Sequence, residues 1–144
     1  MTSEVDQQTT TGMAGRPAWA WPFRVGMTVA AVMLCLQPVY AGEFLSGSYS
    51  ALQSHNDNAD YAGIAVLVAL IGAVLLRWPG RGPRWPMMAT LVLFALTAAQ
   101  IGLGHARELA VHVPLGVAIV ATAVVLAVWS WRGLPGTTPA GGRS

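Results

Sequence analysis

Four long apolar stretches separated by short polar connections dominate this chain, and they leave few folds open. Only 10% of its 144 residues are charged, against about 25% in an ordinary soluble domain. A chain so poor in charge needs a solvent other than water. In hydrocarbon every backbone N–H and C=O must be paired within the protein, so isolated strands are excluded and each stretch reads as a helix. The spans fall at about 25–45, 58–76, 86–104 and 111–131. The third and fourth match the roughly 20 residues that cross a bilayer. The second has an uncharged core of 16 residues, Tyr61 to Leu76. That is roughly 24 Å of helix against a hydrocarbon layer of about 30 Å, so it spans comfortably only if the helix continues back toward Asn56 to Asp60.

The arginines set an orientation. Arg16 and Arg24 precede the first span, Arg77, Arg81 and Arg84 fill the connection between the second and third, and Arg132 and Arg143 follow the fourth. Arg107 alone lies at the other end. The positive-inside rule then puts both termini in the cytoplasm. The aromatics agree: all six tryptophans cluster at the arginine end, while Tyr40, Tyr49 and Tyr61 cluster at the opposite one. The expected fold is an all-α, integral-membrane, up-down-up-down four-helix bundle over 21–132, between a disordered tail at 1–20 and another at 133–144. The expected location is the cytoplasmic (inner) membrane. A rival reading takes Arg24, the apolar run Val25 to Leu36 and Val39-Tyr40-Ala41 as a signal peptide with cleavage before Gly42.

Composition excludes several function classes. The net charge of +2 is too small to favour a nucleic-acid partner, and there are no lysines. Cys35 is the only cysteine, so no intrachain disulfide or cysteine metal motif exists; inside an apolar run it reads as a small buried hydrophobe. There is no phosphate-cradling glycine loop, no H-E-x-x-H and no nucleophile elbow, so an enzyme is not expected. The remaining partners are the lipid bilayer and another membrane protein or a second copy.

The chemistry-bearing residues gather at the end away from the arginines. Glu43, His55, His105 and His112 lie 19 to 22 residues from the nearest arginine on their own spans, roughly 28–33 Å along a continuous helix, and so share one level. The halves of the chain also echo each other. Gln37 is followed by Ala41-Gly42 and then His55; Gln100 is followed by Gly102 and Gly104 and then His112. In a bundle connected in chain order, the second and fourth helices lie diagonally across the core. Two imidazoles facing each other there could ligate a haem iron from both sides. Glycines 42, 63, 102, 104 and 116 could give room for the macrocycle. Glu43 or Asp60 could orient the imidazoles, and Gln37 and Gln100, whose amides are costly unpaired within a span, should bond to a neighbouring helix.

These residues resemble one four-helix half of the haem A synthase family: Gln37 with Ala41-Gly42, His55 opening the second span, Gln100-Ile101-Gly102-Leu103-Gly104, and His112 opening the fourth. The likeness covers roughly Val25 to Trp131, half the family's length, and lacks its outer-loop cysteine pair. Four-helix b-type cytochromes are similar more loosely, as are small four-helix membrane proteins of high-GC bacteria, chiefly actinobacterial. The resemblance implies His55 and His112 as axial ligands of haem, and haem binding alone carries over from it. With the histidine pair and the hairpin echo, the expected protein binds haem b with Glu43, Gln37 and Gln100 around the ligands, and acts in electron transfer or as an accessory to a haem enzyme. Two other readings stand beside it. One is a zinc or copper site built from His105 with Glu43, His55 and His112. The other is a cofactor-free structural or accessory subunit, in which the histidines are only hydrogen-bonded polar residues.

Overall fold

The computed structural model describes residues 17–134. A 3₁₀ turn, Pro17–Trp19, leads into four helices: α1 (Ala20–Leu45), α2 (Ser50–Arg77), α3 (Trp85–His105) and α4 (Leu109–Arg132). All four are long and apolar enough to cross a membrane, the mark of a multi-pass membrane protein. Residues 1–16 and 135–144, most of the two expected tails, lie outside the described residues.

Two helices start earlier than sequence pattern indicates. α1 begins at Ala20 rather than near Val25. Pro22 sits in its first turn, where a missing N–H costs nothing. α2 begins at Ser50, eight residues before Asn58. Its first turns are rich in Ser, Asn and Asp, which usually favour caps and turns. Here those side chains are drawn into helix-compatible bonds. Gln53 Nε2 donates to Asp57 Oδ1 one turn on, at 2.6 Å. Asn58, buried, donates to the carbonyl of Met33 on α1 at 2.9 Å. Tertiary contact overrides local preference, and His55 consequently lies inside α2 instead of opening it.

The helices pack in a ring, each against its chain neighbours and α4 against α1, while the diagonal pairs keep their backbones apart. The core is small-sided and lies toward the arginine end. Phe23, Met27 and Ala30 of α1 meet Val66, Ala69 and Ala73 of α2, and Leu93, Ile119, Ala123 and Leu126 close it from α3 and α4. Glycine permits the closest approach. A Cβ on Gly72 would stand 2.6 Å from the backbone nitrogen of Phe23, and one on Gly26 would stand 3.0 Å from Cα of Ala69. Such contacts let helices associate where apolar surface has no hydrophobic drive to be buried. Outward faces carry exposed Val29, Val32, Ile64, Val68, Val92 and Val125, the kind of surface a bilayer covers. Cys35, expected to be buried, is exposed as well; α1 buries Phe23, Met27, Ala30, Ala31 and Leu34, and position 35 turns away from that stripe.

Arg24 does more than mark a helix end. It is buried, with Nε donating to the carbonyl of Ser130 at 2.9 Å and Nη2 to that of Leu134 at 2.8 Å. The last carbonyls of a helix lack partners within it and carry partial negative charge. Arg24 supplies that need for α4 and ties it to the start of α1. Trp131 Nε1 donates to Thr28 Oγ1 at 2.9 Å, and Trp85 stacks edge-on against Trp129 with ring centres 4.1 Å apart.

The glycine contacts make a direct prediction. Gly72→Ala should destabilise the bundle by about 1–3 kcal/mol, since its methyl has only backbone to displace. Gly42→Ala, with nothing within 4 Å of the added carbon, should be neutral or stabilising. Thermal unfolding of both variants in detergent micelles measures the contrast.

Candidate functional site: a histidine pair in an apolar cavity

Opposite the close-packed end, the ring opens into a cavity of about 410 Å³, within the range of cofactor sites. Its walls are nearly all apolar, among them Leu34, Ala62, Ile119 and Val120; the polar residues that line it are Gln37, His55, Thr97, Gln100 and His112. The Thr97 hydroxyl is already used, donating to the carbonyl of Leu93 at 2.8 Å. The two imidazoles and the two amides therefore carry the site's chemistry.

His55 of α2 and His112 of α4 meet across the ring, with centroids 6.3 Å apart and planes inclined by 58°. Each is held by the neighbouring helix of its own hairpin. Nδ1 of His112 lies 3.0 Å from the carbonyl oxygen of Gln100, and Nδ1 of His55 lies 3.1 Å from that of Gln37. A carbonyl only accepts, so His112 carries its proton on Nδ1, leaving the Nε2 lone pair for another partner. This is the tautomer that metal-ligating histidines adopt when an outer acceptor orients them.

The glutamine side chains brace the same turns. Gln100 Nε2 donates to the carbonyl of His112 at 2.7 Å. Gln37 does the equivalent in the first hairpin. With its amide oxygen accepting from the N–H of Ala59 at 2.8 Å, its nitrogen stands 3.2 Å from the carbonyl of His55 and 2.8 Å from His55 Nδ1. The opposite orientation would set the amide nitrogen against the donors of Ala59 and Asn58. His55 Nδ1 therefore lies between a donor, the Gln37 amide nitrogen, and an acceptor, the Gln37 carbonyl oxygen, so the geometry fixes the tautomer of His112 but not that of His55. Gln100 Oε1, by contrast, is buried with no hydrogen-bond partner among the described residues.

Glycine shapes the second hairpin at this level. A Cβ on Gly104 would lie 3.0 Å from Cε1 of His112, and one on Gly116 would lie 2.8 Å from Gln100 Nε2. Gly42 and Gly102 face open space instead, and Gly63 makes only an ordinary contact with Ile101.

The other sequence candidates stand apart. Glu43 and Asp60 are exposed, and for His112 the part expected of a carboxylate in orienting the imidazole is taken by the Gln100 backbone carbonyl. His105 is exposed, its Nδ1 2.9 Å from the carbonyl of Ile101 in the last turn of its own helix. Among the described residues, no group of three or more His, Cys, Asp or Glu side chains is placed to hold a metal ion. The four-residue set of Glu43, His55, His105 and His112 is not assembled; only His55 and His112 come together. Sequence reasoning missed Asn58, whose bond to Met33 sets the rotation of α2 beneath His55. Its only signal was an amide beside an apolar span.

Comparison of the chain with protein-family models, with curated proteins and with solved structures finds no match. The reading of the site rests on its own geometry.

The tautomer is measurable. In the purified protein in micelles, with no ligand added, the His112 side chain should show a protonated Nδ1 and a bare Nε2 in long-range ¹H–¹⁵N spectra at neutral pH. A proton on Nε2 would contradict the carbonyl anchor. Gly104→Val, whose added carbon meets the His112 ring, should shift the His112 side-chain resonances.

Proposed function

We propose that the protein is a b-type haem protein of a bacterial cytoplasmic membrane, built as an up-down-up-down bundle with both termini in the cytoplasm. In this reading it carries electrons or assists a haem enzyme. The orientation rests on the arginine and tryptophan asymmetry. The cofactor rests on one observation: His55 and His112 face a common apolar cavity with ring centres 6.3 Å apart. Two imidazole nitrogens about 2 Å from one iron, each about 1 Å in front of its ring centre, put the centres about 6 Å apart.

The donor set suits the group. His112 is anchored through Nδ1 by the Gln100 carbonyl, which fixes its orientation and raises the basicity of Nε2, and His55 is held at Nδ1 by the backbone carbonyl and amide of Gln37. Leu34, Ala62, Ile119 and Val120 form walls that exclude water from a flat apolar ring. Gly104 and Gly116 keep the space beside His112 and Gln100 clear. Bound haem would supply a centre that gains and loses single electrons. The protein's part is to grip it with two neutral nitrogens, hold those nitrogens still, and keep the surroundings dry.

A reduced-minus-oxidised spectrum of protein expressed with ample haem tests this. The expected result is a Soret and a sharp alpha band of a six-coordinate, low-spin centre. His55→Ala or His112→Ala should abolish it, while His105→Ala should leave it unchanged. Absence of any band in the wild-type protein defeats the haem reading and leaves a cofactor-free helical bundle. Stoichiometric zinc or copper on elemental analysis would revive the metal alternative.

A further inference from the structure

The cavity is not walled evenly. Its lining residues on α2 and α3, among them His55, Ala62, Thr97 and Ile101, are all buried or half-buried. Its exposed lining residues are Pro38 of α1 and Val113, Val117 and Ala121 of α4. The three α4 positions recur every fourth residue and so form a row along one helix face, roughly 12 Å tall. Every one of the four is apolar, and none could solvate a polar ligand on its way in.

The named bonds and ring contacts between α1 and α4 lie at the other end. Arg24 reaches Ser130 and Leu134, Thr28 accepts from Trp131, and Trp21 stacks edge-on against Trp131 at 5.4 Å. The two helices are thus pinned at one end and, beside the cavity, bordered by exposed apolar side chains. The seam faces sideways, where hydrocarbon would surround the bundle.

We propose that the cavity is entered laterally, through the seam between α1 and α4, and takes a flat apolar ligand that has first partitioned into the bilayer. The route does not depend on the ligand being haem. It does depend on the membrane reading, because in water the same seam would expose a row of valines. An aqueous route would instead pass the polar connections at residues 46–49 and 106–108.

Spin-label accessibility decides between the two routes without any ligand. In a Cys35→Ala background in phosphatidylcholine bilayers, a nitroxide is attached at Ile101→Cys or, if that variant fails to fold, at Val120→Cys; both positions line the cavity. The expected result is frequent collision with molecular oxygen, which concentrates in hydrocarbon, and little with a water-soluble nickel chelate. Val117→Trp, at the seam, should remove most of the oxygen collisions. Val125→Trp, equally exposed at 66% but outside the cavity, should not. A label relaxed mainly by the chelate, or one indifferent to Val117→Trp, overturns the proposal. Haemin delivered in the same vesicles then separates the two ideas. A haemin spectrum that stays that of vesicles without protein, beside an oxygen-accessible label, defeats haem but not the seam, whereas a chelate-accessible label defeats the seam whatever the spectrum shows.

Discussion

The contact of Gly72 with the backbone of Phe23 sets the shape of the bundle. Where no side chain separates α1 from α2, their backbones come as close as backbones can. Dispersion between closely fitted helices then does the work that hydrophobic burial does in water. At the other end the helices are held by longer polar side chains, Gln37 reaching α2 and Gln100 reaching α4. A bundle clamped tightly at one end and braced by amides at the other must open between the braces. The cavity follows from the different lengths of the two kinds of spacer.

Those braces also explain why polar groups are tolerated inside apolar spans. An unpaired amide in hydrocarbon costs several kcal/mol. Gln37 avoids that cost with both ends of its amide, and Gln100 with its amide nitrogen, by bonding the backbone of the adjacent helix at the turn that carries a histidine. The Gln100 main-chain carbonyl accepts from the His112 ring in return, and Nδ1 of His55 lies beside the carbonyl of Gln37. Each hairpin is therefore locked at one level by side chain on backbone in one direction and ring on backbone in the other. A ring so placed cannot rotate to water without breaking its anchor, so both histidines keep one nitrogen committed to the protein.

Much of this was legible in the sequence, for physical reasons that can be named. The helices followed from charge scarcity and length, since hydrocarbon permits little else. The pairing of His55 with His112 followed from their places near the same ends of the second and fourth spans, because those two helices lie diagonally across a bundle connected in chain order. Three things were not legible. The start of α2 was hidden because Ser54 to Asn58 has the composition of a turn, and only contact with Met33 makes it helix. Arg24 was taken as a topology signal, and nothing local distinguishes an arginine that snorkels to water from one that caps another helix over a hundred residues away. Glu43 was grouped with the histidines by depth alone. Depth says nothing about which side of a helix a residue faces, and Glu43 faces outward.

The two hairpins are alike but not equal, and the difference falls where it bears on binding. In the first, the Gln37 amide is fully used, with its oxygen on Ala59 N–H and its nitrogen by the His55 carbonyl. In the second, the residue corresponding to Ala59 is Gly116, which lies beside Gln100 Nε2, and Gln100 Oε1 is left buried with no donor among the described residues. A strict repeat would have satisfied both amides. The departure leaves an uncompensated acceptor on a residue that lines the cavity, beside the histidine whose tautomer the geometry fixes. Buried acceptors without donors are uncommon because each raises the energy of the folded protein. The second hairpin is therefore the less completely bonded of the two, and the difference lies in the residue that stands where the first hairpin has Ala59.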